Sequence, residues 1–152
     1  LTYALPRMQQ PPSRADLWLV QLVPPTDVSY RISVFVHPSG AEVKPDDPQF
    51  RAQHLAGDFS FWRAHHLLPG QTAGAFIPIT PTLRNSAHSE TDFELTLVPK
   101  ALPARRGATG HSHEHGGHGS QLGPLEFQSV VLQLNGNGAP NIRLGGVDPH
   151  GR

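Results

Sequence analysis

The feature that most constrains the fold is an alternating stretch at residues 28–37, Val-Ser-Tyr-Arg-Ile-Ser-Val-Phe-Val-His. Successive side chains of a β-strand point to opposite faces of a sheet, and here every second residue is apolar while most of the others are polar. A shift of one residue would put the apolar row into water, so the register is well specified. The stretch predicts a strand with one face in a core, formed by Val28, Tyr30, Ile32, Val34 and Val36.

Six other stretches have the composition of short strands and are separated by turn residues. They are residues 16–23, 55–62, 75–80, 93–98, 125–134 and 142–147. Within them Gly57 is expected at a bulge or a close approach, Pro78 at the edge or end of a strand, and Ser129 at a bulge-like change of phase. No stretch keeps a helical period for three turns. The one short helical candidate is residues 61–68, and residues 42–53 are expected to form a loop.

These patterns predict an all-β protein, an antiparallel β-sandwich or jelly-roll-like fold with six to seven short strands and long loops. The 152 residues suffice for one domain with a real core. Residues 1–13, which are rich in proline, are expected to be an extended connector, and residues 14–152 a single β-sandwich domain with a His- and Gly-rich loop at 101–123. The predicted core contains Val28, Tyr30, Ile32, Val34, Val36, Phe59, Phe93, Leu95, Leu97, Phe127 and Leu132.

Composition narrows the classes of partner. The formal net charge is +0, so bulk electrostatics favour neither a nucleic acid nor an anionic membrane as a partner. There is no cysteine, which excludes disulfides and thiolate metal sites. No apolar run approaches the roughly 20 residues of a membrane helix. We therefore expect no nucleic-acid partner and no membrane partner.

The loop at 101–123 contains the chain's densest group of potential metal ligands, because four of the 10 histidines lie within Gly-His-Ser-His-Glu-His-Gly-Gly-His-Gly. Imidazole nitrogen suits Cu(II), Zn(II) and Ni(II). The composition therefore suggests a copper or zinc site, and the alternative is a solvated loop that binds metal only adventitiously, since closing a glycine-rich loop costs backbone entropy. The candidate ligands are His111, His113, His115 and His118.

A second, looser histidine group consists of His54, His65 and His66, beside Trp62. Adjacent histidines on a strand point in opposite directions, so a surface or packing role is expected for them. The sequence shows no Gly-x-Ser-x-Gly elbow, no phosphate-binding glycine loop and no His-Glu-x-x-His motif. No catalytic residue is predicted within this chain.

Three short motifs carry a resemblance to a known family, namely residues 28–36, Leu-Ala-Gly-Asp-Phe at 55–59 and Thr-Leu-Val-Pro-Lys at 96–100. Together they resemble the C-terminal domain of plant polyphenol oxidases. Residues 28–36 are similar to the Lys-Phe-Asp-Val strand that names that domain, with Tyr-Arg-Ile-Ser in place of the tetrapeptide. Leu-Ala-Gly-Asp-Phe at 55–59 resembles its Phe-Ala-Gly-Ser-Phe segment, and Thr-Leu-Val-Pro-Lys at 96–100 matches its Thr-Leu-Val-Pro-Lys. Residues 125–134 stand where its closing strand would be, and residues 1–5 resemble the end of the family's catalytic domain.

The resemblance implies a β-sandwich-like lid on the helical catalytic domain of a tyrosinase or catechol oxidase. In that family the catalytic domain holds two type-3 coppers through six histidines on helices, and the lid shields this site in the latent enzyme. The chain would then be a non-catalytic shielding domain that acts sterically. Its partner would be the catalytic domain of a tyrosinase-like oxidase, from the same precursor or cleaved and associated, and the copper would lie in that partner.

Two other interpretations remain open. The chain would be an independent copper or zinc carrier if the histidine-rich loop is its function. Alternatively, it would be a β-sandwich binding module for carbohydrate or protein with no role in metal binding.

Overall fold

The computed structural model describes residues 1–8, 11–23, 29–61, 71–86, 92–102, 126–135 and 141–146. These residues form eight strands and two short helices. In chain order they are β1 (Thr2–Ala4), β2 (Ala15–Leu22), β3 (Tyr30–Pro38), α1 (Pro48–His54), β4 (Leu55–Phe61), β5 (Ala73–Pro78), α2 (Thr80–Ser86), β6 (Phe93–Ala101), β7 (Ser129–Leu134) and β8 (Asn141–Gly146).

The strands make two four-stranded antiparallel sheets, with the order β1-β6-β3-β4 in the first sheet and β5-β2-β7-β8 in the second. The prediction of an all-β antiparallel sandwich is confirmed, and each of the seven predicted strands corresponds to one of β2 to β8. In the described part of the chain, no helix has the length and apolar character to cross a bilayer.

The core lies between the two sheets because each contributes one apolar face. In β3, Tyr30, Ile32 and Val34 are fully buried, as the alternation predicted. Phe59 and Phe93, predicted in the core, are only half-buried and pack against its margin, and Val28 lies outside the described residues. The buried apolar residues of the two sheets and their connections are Ala15, Leu17, Leu19, Leu22, Tyr30, Ile32, Val34, Val36, Ala75, Ile77, Ile79, Leu83, Leu95, Leu97, Phe127, Val130 and Leu132.

Gly57 combines the two properties expected of it. The pairing of β3 with β4 shifts by one residue between Val34 and Phe35, which places a bulge beside Gly57. A Cβ on Gly57 would lie 2.7 Å from Ile77 Cγ2 and 3.2 Å from the Pro78 carbonyl oxygen, so β4 and β5 approach each other closely there. Both the bulge and the close approach are confirmed.

Two other local expectations are also confirmed. Pro78 ends β5, which is an edge strand of the second sheet. Phe127 and Val130 are both buried although they belong to opposite phases of an alternating pattern. The pairing of β7 with β8 shifts between Val130 and Val131, close to the change of phase predicted at Ser129.

The expected loop at residues 42–53 is wrong in its second half, where α1 begins at Pro48. The side chain of Asp47 accepts hydrogen bonds from the backbone N–H groups of Gln49 and Phe50, and proline fits the first helical position, so the sequence Asp-Pro starts a helix. α2 was not predicted, because it has only seven residues and no helical period can be read over that length. Most of the helical candidate at 61–68 lies outside the described residues.

The N-terminal segment is more than an extended connector, because β1 pairs with β6 at the edge of the first sheet. The backbone N–H of Leu97 donates to the carbonyl of Leu1 at 2.8 Å, and that of Leu5 donates to the carbonyl of Phe93 at 3.0 Å. Three residues of strand are too few to show alternation, so sequence pattern alone could not identify β1.

Candidate functional site

The predicted metal ligands of the loop, His111, His113, His115 and His118, lie outside the described residues, as do His65 and His66. Within the described ranges no group of three or more histidine, cysteine, aspartate or glutamate side chains is arranged to hold a metal ion.

His54, the described member of the second histidine group, ends α1. Its Nδ1 lies 3.2 Å from the carbonyl oxygen of Val36, and its ring centroid lies 4.6 Å from that of Phe50. The first contact attaches the end of α1 to β3, and the second packs His54 against Phe50 within α1. His54 therefore has the packing role that was expected for it.

Most of the second face of β3 is buried as well, although only the apolar face was predicted to lie in a core. Ser33, Phe35 and His37 are all at most 4% exposed. The cover is α1, because the ring of Phe50 lies 5.5 Å from that of Phe35 and the guanidinium of Arg51 lies 5.9 Å from the same ring. This cation–π contact and the aromatic pair explain why the apolar Phe35 occurs among the otherwise polar residues of this face of β3.

His37 is the centre of a buried hydrogen-bond chain on this face. Its Nδ1 lies 3.0 Å from the carbonyl oxygen of Pro38, and its Nε2 lies 2.8 Å from Thr96 Oγ1. A carbonyl oxygen can only accept, so a neutral His37 carries its proton on Nδ1 and accepts at Nε2 from the Thr96 hydroxyl. Thr96 Oγ1 in turn lies 2.9 Å from Thr2 Oγ1. The chain of groups therefore joins β3, β6 and β1.

Charged groups occupy the other end of the same face. The Asp58 carboxylate accepts a hydrogen bond of 2.6 Å from the Ser33 hydroxyl, and it lies 3.5 Å from Arg51 and 3.9 Å from Arg31. Because the single Asp58 carboxylate lies between the guanidinium groups of Arg51 in α1 and Arg31 in β3, it connects α1 to the sheet, and it has no second carboxylate of the described residues beside it to form an acid–base pair.

Lys100 extends the charged network to the loop before α1. Its ammonium donates to Asp46 at 2.7 Å, and this hydrogen bond is the main reason that the pKa of the Asp46 carboxyl is below its ordinary value. The charge of Lys100 and, more weakly, those of Arg51 and Arg31 act in the same direction. Both partners are largely exposed, so water and salt weaken the pair.

Beside α1 lies an open depression of about 280 Å³. Its lining is mainly polar and charged and mixes both signs, and a site so open to water does not enclose a reacting group. The lining residues are Glu42, Lys44, Asp47, Gln49, Phe50 and Gln53.

The outer face of the second sheet has a different character, because it carries an exposed tryptophan. Trp18 is 40% exposed, and its neighbours Leu17 and Leu19 are fully buried, so its indole points away from the core. Its ring lies edge-on to that of Phe76 at 4.8 Å. The strand pairings put Val131 beside Trp18 and Arg143 beside Val131 on this face.

We refer to the row of Phe76, Trp18, Val131 and Arg143 as the aromatic platform. A second row runs next to it, formed by Pro78, Asp16, Gln133 and Asn141. Trp18 Nε1 donates to Gln133 Oε1 at 3.1 Å, which connects the two rows.

The comparisons with known proteins identify no relative. No protein family, no curated protein and no solved structure matches the chain.

The sequence did not single out the platform. Trp18 stands on the outer phase of β2 together with Asp16 and Val20, and because this phase is mostly apolar, alternation alone does not mark Trp18 as an outward-facing residue. Phe35 does break the mostly polar phase of β3, and it is buried. An apolar residue on the outer phase of a strand can therefore be covered by another element or exposed to water, and only the structure distinguishes the two cases.

Proposed function

We propose that this chain is a non-catalytic shielding domain of a tyrosinase-like type-3 copper oxidase. The partner is the oxidase's catalytic domain, which holds the two coppers, and the chain regulates latency by covering the entrance to that site. The mechanism is steric, with an apolar contact occluding the path of the phenolic substrate.

The support for this proposal is the position of the three resembling motifs. They are separated by up to 60 residues or so in the chain, yet they fall on β3, β4 and β6. β3 pairs with β4 on one side and with β6 on the other, so the three motifs form one continuous sheet. The three motifs therefore lie on three of the four strands of the first sheet, so the resemblance concerns most of one sheet rather than three unconnected segments.

A titration of the copper-loaded catalytic domain with this chain tests the proposal. We expect the rate of catechol oxidation to fall as the chain is added, with no change in copper content, and mild detergent to relieve the inhibition because the contact is apolar. The isolated chain, even when loaded with copper, should oxidise no more catechol than free copper does. Unchanged activity at saturating chain, or turnover by the chain alone, contradicts the proposal.

A second candidate function is copper or zinc binding by the histidine-rich loop. The observation that favours it is the spacing of His111, His113, His115 and His118, which gives four imidazoles within eight residues. Imidazole must be neutral to bind a metal, so such a site releases its ion as the histidines protonate below about pH 6.

Calorimetry tests this second function. Changing His111, His113, His115 and His118 to alanine should abolish the binding of Cu(II) or Zn(II) near neutral pH. The control variant changes His54, His65 and His66 to alanine, and it should keep the stoichiometry of the intact chain. The opposite pattern would assign the metal to the second group.

A further inference from the structure

We propose that the aromatic platform of the second sheet binds an acidic oligosaccharide, one that contains uronic acid units. The proposal does not depend on the shielding function, because its test measures the binding of a sugar to this chain alone.

The first argument is the exposure of Trp18. Only two large apolar side chains in the described part of the chain are exposed, Leu1 and Trp18, and Trp18 stands in the middle of a regular sheet face. The face of an aromatic ring carries negative charge and attracts weakly positive C–H groups. A pyranose ring presents such C–H groups on one face, so an exposed indole on a sheet can stack on a sugar.

The second argument is the row of amides beside the platform. Gln133, on the same face, accepts from the Trp18 indole through Oε1, which leaves its NH2 group as a donor. Asn141 pairs with Gln133 across the sheet and is exposed. Planar amides next to a stacking ring can donate hydrogen bonds to sugar hydroxyls and accept hydrogen bonds from them. The amides can therefore fix the orientation of the bound sugar as well as add affinity.

The third argument is charge, and it selects an anionic ligand. Asp16 is almost fully buried, and Arg14 Nε donates to its carboxylate at 2.6 Å, so this pair is neutral. Arg143 is exposed and forms no ion pair with another described residue. Among the described residues the face therefore carries one uncompensated guanidinium, which is suited to bind a carboxylate through two hydrogen bonds.

The dimensions also fit. The four residues of the platform lie on four neighbouring strands, β5, β2, β7 and β8, so the row is roughly 14 Å long. Arg143 lies two strands away from Trp18. A short oligosaccharide laid across the strands can stack one ring on Trp18 and bring the carboxylate of a following unit to Arg143.

The test measures the binding of trigalacturonic acid to the intact chain by calorimetry, with its methyl-esterified form as the neutral probe. We expect the acid to bind more tightly than the ester and its affinity to fall with added salt. Trp18→Ala should lower the affinity for both probes about tenfold, and Trp18→Phe should restore part of it. Arg143→Gln should lower the affinity for the acid about fivefold and leave the ester unchanged.

The matched control is Arg7→Gln, which removes the same charge from an exposed arginine beside the first sheet. It should bind both probes as the intact chain does. Circular dichroism checks that each variant is folded. The binding of acid and ester by Arg143→Gln tests the proposal even if Trp18→Ala does not fold.

Several results would overturn the proposal. They are the absence of binding at millimolar probe, equal binding of acid and ester with no effect of Arg143→Gln, and equal losses in Arg7→Gln and Arg143→Gln. Sedimentation that shows self-association abolished by Trp18→Ala, without sugar binding, would assign the platform to a second copy of the chain instead.

Discussion

At the scale of single residues, the hydroxyl of Tyr30 is an unusual group in this core. The side chain is fully buried, its ring stacks on Phe61 at 5.1 Å, and its hydroxyl has no hydrogen-bond partner among the described residues. A buried donor without a partner loses its bonds to water and gains nothing in return, which costs about 1–3 kcal/mol. Burial also raises the pKa of the Tyr30 phenol above its ordinary value.

Tyr30→Phe should therefore raise the free energy of unfolding by about 1–2 kcal/mol, because phenylalanine keeps the stacked ring and removes only the unpaired hydroxyl. The raised pKa adds a pH dependence. Tyr30 remains neutral in the folded chain but ionises in the unfolded chain near pH 10.0, so the intact protein loses stability as the pH rises above that value. The variant should lose less stability over this range.

Urea unfolding at pH 7 and at several alkaline pH values measures both effects. The control is Tyr3→Phe, since Tyr3 is only half-buried, and its stability at pH 7 should change by less than about 0.5 kcal/mol. A clear loss of stability in Tyr30→Phe would mean that the hydroxyl has a partner.

At the scale of secondary structure, α1 is the element that buries the second face of β3. It contributes Phe50 and Arg51 to the cover over Phe35, although it has only seven residues and none of them is fully buried. So short a helix does not form by propensity alone, and it depends on its cap and on its contacts with the sheet. The Asp47 carboxylate accepts from the N–H of Gln49 at 2.8 Å and from that of Phe50 at 3.4 Å.

Asp47→Ala should lower the stability of the protein by about 1 kcal/mol, because two backbone donors lose their acceptor. Asp47→Asn is the matched control, since its side-chain oxygen still caps the helix and its effect should be much smaller. Urea unfolding measures the stability, and amide hydrogen exchange at residues 50–54 reports the fraying of α1 directly. If the two variants lose the same stability, the charge of Asp47 and not its capping bond is what matters.

At the scale of the whole molecule, the two sheets approach each other closely where β4 meets β5. Gly57 permits this approach because a side chain there would collide with Ile77 and with the backbone at Pro78. The contact lies at a corner of the sandwich, so a change there alters the fit of one sheet against the other rather than one local contact.

Gly57→Ala should destabilise the protein by about 1–3 kcal/mol through overpacking at this corner. Gly74→Ala is the control, because a Cβ on Gly74 meets nothing within 4 Å and the same substitution there tests only the backbone effect. Urea unfolding of both variants gives the comparison, and equal stability of the two would show that the sheets can move apart without cost.

Much of this architecture follows from the sequence, because alternation is a local property of each strand. Residues 28–37 specified a strand and its core face, and seven stretches of this kind gave the strands β2 to β8. The roles of Gly57 and Pro78 could also be predicted from local sequence, because the backbone conformations that glycine and proline allow are properties of those residues themselves. Alternation and these residues were sufficient to predict the all-β class and the antiparallel sandwich.

The features that alternation does not predict depend on contacts between residues far apart in the chain. β1 is a strand because β6 offers it an edge, and Phe35 is buried because α1 lies across it. Trp18, like Phe35, lies on the outer phase of its strand, yet it is 40% exposed. The sequence pattern fixes which way a side chain points, whereas tertiary packing decides whether another element covers that side chain, as α1 covers Phe35 and no described element covers Trp18.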